Sequence, residues 1–116
     1  MQDVYRDLIA SYPEAFSATI QIRMDKGWVD LLREIALKYI ERGVKINEAY
    51  VKIGSLRIEP IISEVLEGEL KIYHRSMATC EDCGQPGRVR NIQGYCRATC
   101  DAHELEWAAY MKRMYR

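Results

Sequence analysis

Residues 80–103 read CEDCGQPGRVRNIQGYCRATCDAH, and this stretch decides the fold predicted for the end of the chain. It contains two closely spaced pairs of metal-ligating side chains, Cys80 with Cys83 and Cys100 with His103. A Cys-x-x-Cys turn lets two thiolates reach one ion without strain, and zinc takes four ligands in a tetrahedron. The spacing therefore predicts one structural Zn²⁺ held by Cys80, Cys83, Cys100 and His103.

The residues between the two ligand pairs predict a turn followed by a β-hairpin. Gly84 suits a tight knuckle whose amides turn back towards the sulfurs, and residues 85–87 (QPG) have turn chemistry. Residues 88–90 (RVR) and 95–97 (YCR) then predict two short strands joined through residues 91–94 (NIQG).

A final helix is predicted from the second ligand pair onwards. Thr99 is a natural N-cap, which places Cys100 and His103 in the first turn, where both can face the same ion. His103 and Trp107 lie at helical spacing, so the imidazole shares a face with apolar residues. Knuckle, hairpin and helix in this order predict a treble-clef zinc finger.

Two other interpretations of the cysteines stay open at this point. Cys96 could replace His103 and give a four-cysteine site, although a cysteine on a strand next to Arg97 is more often a small packed residue. Cys80 and Cys83 could form a redox pair, but no βαβ pattern surrounds them and a second pair at ligand spacing would be a coincidence.

The first part of the chain predicts a helical body. Apolar spacing predicts one amphipathic helix over 2–12 and a stronger one over 28–40, for which Asp25 is a plausible N-cap and Gly43 a left-handed end. Residues 14–24 have no clean period and predict a loop or a short extended piece.

Residues 49–59 predict a β-hairpin in this body. The apolar alternation loses phase in the middle, and a two-residue turn at Gly54-Ser55 removes the conflict. A bulge at Gly54 in one continuous strand is the competing interpretation. The hairpin would place apolar pairs on one face: Ile53 with Leu56, and Val51 with Ile58.

A long helix is predicted to join the two parts. Pro60 fits its first turn, and the helix would run to about Met77, with Gly68 as a weak point in the middle. The pattern changes near Ala78. The sequence therefore predicts an α+β protein with a body over 1–78 and a zinc-finger module over 79–116 packed on it, unless the two form one continuous domain.

Composition and charge limit the classes of function. The chain has 116 residues, 48% of them hydrophobic, which is enough for one domain with a core. Residues 1–70 hold nine basic and twelve acidic side chains, and residues 71–116 hold eight and five. This near-neutral balance is weak for binding nucleic-acid phosphates. Without a secretion signal or an apolar span, and with metal-type cysteine spacing, we expect a cytoplasmic protein that binds no membrane.

Three arginines are the candidate partner-binding residues. Arg88, Arg90 and Arg97 cluster on the predicted hairpin, where they form either a solvated face or a contact patch for an acidic protein or a nucleic-acid backbone. Catalysis is not expected, because a zinc ion with four protein ligands has no open position and His74 is the only other histidine.

Several segments in order along the chain are typical of one group of proteins. These segments are YPEAF (12–16), GWVDLL (27–32), KIGSLR (52–57), CEDCGQPG (80–87) and CDAH (100–103). They resemble small zinc-finger proteins encoded by bacteriophages and by prophage regions of bacterial chromosomes. The resemblance implies Cys80, Cys83, Cys100 and His103 as the zinc ligands, not Cys96. This sequence departs from the family pattern at Ile53, where the family usually has an aromatic residue in a buried position.

The family has no assigned activity, so the resemblance implies a biological setting, that of a phage infecting a bacterium, but no reaction. We expect a non-enzymatic phage-type accessory protein of the bacterial host cytoplasm that binds a protein partner, such as a host defence complex that it inhibits. A nucleic-acid-binding, regulatory zinc-finger protein is the alternative. The sequence leaves the partner and the oligomeric state open.

Overall fold

The computed structural model describes residues 1–63 and 72–114, which form helices and two small β-sheets. The α-helices in these residues are α1 (Asp3–Ser11), α2 (Val29–Arg42), α3 (Ile72–Met77) and α4 (Asp101–Met114). The strands are β1 (Phe16–Arg23), β2 (Ile46–Lys52), β3 (Ser55–Glu59), β4 (Arg88–Ile92) and β5 (Tyr95–Thr99). The predicted mixed α+β class is therefore confirmed.

The two amphipathic helices of the body form as predicted. Helix α1 buries Tyr5 and Leu8 against the core. Helix α2 follows a 3-10 turn at Lys26–Trp28, and the side chain of Asp25 caps that turn by accepting the Lys26 N–H. The helix ends at Gly43, whose φ of 69° is the predicted left-handed conformation.

Of the two alternatives predicted for 14–24, a loop or a short extended piece, the extended one forms, because Phe16–Arg23 is strand β1. It pairs in parallel with β2, with α2 as the crossover connection. The pairing places Phe16 opposite Ile46 and Ile22 opposite Ala49, with a register shift between these pairs. The irregularity removes the period of two by which a strand is recognised in a sequence.

The predicted hairpin of strands β2 and β3 forms, but its register differs from the prediction. The connecting residues are Ile53 and Gly54, with φ values of 51° and 75°, instead of Gly54 and Ser55. Ile53 is consequently 69% exposed, which corrects the expectation that it fills a buried position. The cross-strand partners are Lys52 with Ser55, Val51 with Leu56 and Ala49 with Ile58.

The helix predicted from Pro60 to Met77 is only partly present. Pro60 lies in a bend and Ile61 and Ile62 lie outside any helix, so the helix does not start at the proline. The Tyr39 hydroxyl donates to the Pro60 carbonyl and fastens this segment to α2. Ile72–Met77 is helical as predicted, whereas the middle of the predicted helix, with Gly68, lies outside the described residues.

The hairpin and helix predicted at the end of the chain both form, but the strands are longer than predicted. Strands β4 and β5 pair antiparallel, with Val89 opposite Ala98, and only Gln93 and Gly94, both with positive φ, connect them. Helix α4 then buries Met111, while Tyr110 next to it stays exposed.

Close contacts cross the predicted boundary at residue 78. The Gly27 N–H donates to the Glu81 carbonyl at 2.6 Å, and the indole N–H of the buried Trp28 donates to the Thr79 carbonyl at 2.9 Å. These bonds seat the chain after Thr79 on the turn that begins α2. Gly27 has no room for a side chain there, because a Cβ would lie 2.2 Å from the Cys80 carbonyl oxygen.

Replacing Gly27 by Ala is therefore expected to lower the free energy of unfolding by about 3 kcal/mol, since the added Cβ meets backbone atoms that cannot turn aside. Gly43→Ala is the control. A Cβ at position 43 meets nothing within 4 Å, so only the left-handed backbone opposes it, at about 1 kcal/mol. Urea denaturation measures both losses. Equal losses would show that the contact at Gly27 is not tight.

Candidate metal centre

The first ligand pair lies on a tight turn between α3 and β4. The Gly84 N–H donates to the Cys80 carbonyl at 2.8 Å, and the Cys80 N–H donates to the Gln85 carbonyl at 2.8 Å. Gly84 has a φ of 81°, a conformation that suits glycine. This turn, the knuckle, directs the sulfurs of Cys80 and Cys83 towards the same point.

The second ligand pair lies where β5 ends and α4 begins. Thr99 is the last residue of β5 and is buried, so it is not the N-cap that the sequence predicted. Cys100 takes the position before the helix, and its carbonyl accepts the Glu104 N–H at 2.9 Å. His103 follows in the first turn, so both ligands are held by the helix start.

The four side chains converge on one point. The ligand atoms of Cys80, Cys83, Cys100 and His103 all lie within 4.8 Å of one another. The Nδ1 of His103 is 3.7 Å from Cys80 Sγ and 3.2 Å from Cys100 Sγ, and the sulfurs of Cys83 and Cys100 are 3.8 Å apart. This Cys₃His group can hold a metal ion.

The separations fit a tetrahedral zinc site. Bonds of about 2.3 Å to sulfur and about 2.0 Å to nitrogen place two sulfurs about 3.8 Å apart and a sulfur and a nitrogen about 3.5 Å apart. With four protein ligands, a tetrahedral ion has no position left for water or substrate. Cys96 is not part of the group, since it is half-buried on β5 opposite Asn91.

The start of α4 favours the thiolate form of Cys100. The backbone of His103 hydrogen-bonds to the Cys100 sulfur and is the largest of the influences that lower the pKa of this thiol to about 7. The pKa of Cys83 is raised to about 11 by desolvation, and the neighbouring sulfurs of Cys80 and Cys100 add to the rise. A divalent cation reverses such a rise because it stabilises every thiolate around it.

Arg97 connects the metal centre to the body through three carboxylates. Its guanidinium lies 2.5 Å from Asp82, 3.2 Å from Asp25 and 3.3 Å from Glu81, and its side chain is 18% exposed. The Glu81 side chain is only 2% exposed, and it also accepts the Asp25 N–H at 2.9 Å. The outer face of the guanidinium stacks on Trp107, 5.2 Å from the ring centroid. Asp25 belongs to the body, so the network spans both parts of the chain.

Arg90 is also paired with carboxylates within the chain. Its side chain is 9% exposed, pairs with Asp101 at 2.7 Å and with Glu104, and donates to the Cys100 carbonyl at 3.2 Å. Only Arg88 of the three candidate arginines is exposed. The interpretation of the three arginines as one solvated face is therefore wrong, because Arg90 and Arg97 are paired with carboxylates within the chain.

Sequence reasoning missed these acidic partners. Glu81 and Asp82 occupy the two variable positions of the Cys-x-x-Cys motif, which identifies them as near the metal but does not reveal that one is buried. Asp25 lies far away in sequence, and only the docking of Gly27 on the knuckle brings it to Arg97. The local signal that existed was the acidic pair inside the motif.

Comparison with protein-family models, curated proteins and solved structures finds no match to this chain. The resemblance to phage-encoded proteins thus stays a prediction from the sequence. Among the helices in the described ranges 1–63 and 72–114, none has the length and apolar character required to cross a bilayer.

Replacing Arg97 by Met is expected to lower the free energy of unfolding by about 3 kcal/mol, because it leaves the Glu81 carboxylate buried without its cation. Arg23→Met is the control. Its partner Glu48 is 41% exposed, so the loss should be no more than about 0.5 kcal/mol.

A second substitution distinguishes charge from packing. Adding Glu81→Gln to Arg97→Met removes the unpaired charge and should recover part of the stability, which urea denaturation of the double-mutant cycle measures. A double variant as unstable as the sum of the two single variants would contradict the coupling.

Proposed function

We propose that this protein is a non-enzymatic binding protein in which one structural Zn²⁺ fixes the surface that contacts a macromolecular partner. The observation that carries the proposal is the convergence of three thiols and one imidazole, whose ligand atoms all lie within 4.8 Å of one another. Zinc prefers such sulfur and nitrogen ligands, and a closed set of four is typical of structural sites.

The order of elements supports a treble-clef-type zinc finger. The knuckle supplies Cys80 and Cys83, the hairpin of β4 and β5 follows, and the start of α4 supplies Cys100 and His103. In such a module the metal replaces a hydrophobic core, which a segment of this size cannot build alone.

A structural role is preferred to a catalytic one. Catalytic zinc keeps one position open for water, and here the fourth position belongs to His103. The other histidine, His74, lies on α3 against the ring of Tyr73 and is not one of the grouped ligands. Neither histidine is therefore placed as a free general base beside the metal.

A protein partner is the preferred class. The phage resemblance supports an accessory protein of the bacterial host cytoplasm, and inhibition of a host defence complex is the role that we propose within that context. Retention of one bacterial protein by the zinc-loaded chain, and its loss after chelation of the metal, tests this function. Equal retention by the chelated chain would show that binding does not need the surface that zinc supports.

Nucleic-acid binding is the competing function, and the ion pairs weigh against it. Phosphate affinity depends on how many cations are free to neutralise phosphates. Arg90 and Arg97 already face carboxylates within the chain, which leaves Arg88 as the exposed member of the predicted patch.

Gel-shift titration against duplex and single-stranded DNA decides between the two classes. No shift is expected at low or at physiological salt, because the net formal charge is zero and two of the three arginines are paired. A complex at low salt whose steep salt dependence is lost in Arg88→Ala would favour the nucleic-acid function instead.

Cys83→Ser or a strong chelator is expected to unfold at least the region after residue 78, since a structural zinc contributes on the order of 10 kcal/mol to folding. Cys96→Ser is the matched control and should keep one zinc per chain, because its sulfur lies outside the ligand group. Metal analysis and circular dichroism measure both. Loss of zinc in Cys96→Ser would show that the ligand set is wrong.

A further inference from the structure

The turn between β2 and β3 holds a residue that its backbone disfavours. Ile53 and Gly54 have φ values of 51° and 75° between the paired residues Lys52 and Ser55, the pattern of a type I′ turn. Such turns favour asparagine followed by glycine, because both central residues are left-handed. A β-branched side chain is a genuine outlier in this region, so Ile53 is strained.

Within the described residues, the Ile53 side chain itself makes no packing contact that would reward isoleucine at this position over asparagine. The Ile53 side chain is 69% exposed. A single exposed apolar residue needs no explanation, since folded proteins carry many. An exposed residue that also strains its backbone is different, because asparagine would improve both the turn and the surface. Violations of local preference of this kind concentrate at functional sites.

The turn is held firmly in place. A Cβ on Gly54 would lie 2.8 Å from a methyl group of Val89, so the turn packs directly on strand β4. The Ser55 hydroxyl donates to the Lys52 carbonyl at 2.9 Å across the turn. Strand β4 leads from the knuckle into the hairpin that ends at Cys100. The turn that carries Ile53 therefore packs on a strand, β4, that lies between the two ligand pairs of the metal centre.

Two exposed cations belong to the same region of the fold. Lys52 precedes Ile53 in the chain, and Arg88 precedes Val89, the residue on which the turn packs. An apolar tip with a lysine and an arginine in its region is complementary to an apolar pocket with an acidic rim. Such an arrangement, with a buried anchor and charged surroundings, is typical of the centre of a protein interface.

We propose that Ile53 is the anchor of the partner interface and inserts into an apolar pocket with an acidic rim on a partner protein. This inference rests on the proposed function and names a surface of the body, the β2–β3 turn, that packs on the zinc-binding module. Burial of the side chain in the complex offsets the strain that the free protein carries. Lys52 and Arg88 steer the approach and contribute at the rim.

Ile53→Asn tests the anchor, with Leu105→Asn as the control. Leu105 is 74% exposed on α4, so its replacement removes a comparable apolar surface away from the turn. Asparagine tolerates the left-handed conformation, so Ile53→Asn should raise the melting temperature by about 4 °C and keep one zinc per chain. The variant thus cannot lose binding by unfolding.

Binding is measured with the bacterial protein retained by the zinc-loaded wild-type chain, purified and titrated by calorimetry. Ile53→Asn is expected to weaken its affinity at least about tenfold, while Leu105→Asn leaves the affinity unchanged. Lys52→Glu should slow association, most strongly at low salt.

The outcomes separate this inference from the proposed function. A partner bound equally well by wild type and Ile53→Asn overturns the anchor and leaves the proposed function intact. A lower melting temperature in Ile53→Asn removes the argument from strain and overturns the anchor as well. Ile53-dependent binding to anionic phospholipid vesicles, with no protein partner, identifies a lipid surface and overturns both.

Discussion

The backbone contact between the turn that starts α2 and the knuckle determines where the metal centre lies. Trp28 belongs to the buried core and donates its indole N–H to the Thr79 carbonyl, while Gly27 lets the Glu81 carbonyl approach to 2.6 Å from its amide nitrogen. The two accepting carbonyls flank the ligand Cys80 in the chain, so the body holds the knuckle at its first metal ligand. A side chain at position 27 would remove that fit, which makes this glycine a requirement of packing.

Electrostatics reinforce the same junction. Three carboxylates, those of Asp25, Glu81 and Asp82, surround the Arg97 guanidinium. Taking a carboxylate as buried as that of Glu81 out of water costs several kcal/mol unless a cation and hydrogen bonds replace the solvent. Arg97 supplies the cation, and the Asp25 amide donates a hydrogen bond to the same carboxylate. A bound zinc with three thiolates and one histidine would leave about one negative charge beside this network, so the arginine also limits repulsion around the metal. The Arg97 network contributes more by fixing how the two parts of the chain dock than by adding net stability.

Sequence patterns predicted those elements that are determined by interactions between residues close together in the chain. The helices α1 and α2, the hairpin of β4 and β5 and the two ligand pairs all follow from spacing within a few residues. Strand β1 was predicted only as an alternative to a loop, because its pairing with β2 is parallel, non-local and shifted in register, which erases alternation. The partners of Arg97 were missed for a related reason, since Asp25 reaches it only through the docking of the two parts. The predicted start of a helix at Pro60 failed because a tertiary hydrogen bond from Tyr39 fixes that segment instead.

The register of the β2–β3 hairpin shows long-range packing prevailing over turn preference. Gly54-Ser55 as the turn would have kept Ile53 in the extended region, so local energetics favour it. The observed register instead sets Leu56 opposite Val51 and brings Gly54, which has no Cβ, against Val89. Burial of these side chains, at roughly 25 cal/mol per Å² of apolar surface, outweighs one strained residue. The contact that seats the turn on β4 thus also forces Ile53 outward. Its exposure is a consequence of how the zinc-binding module packs on the body, and a partner that buries it would use a surface that exists only when both parts are assembled.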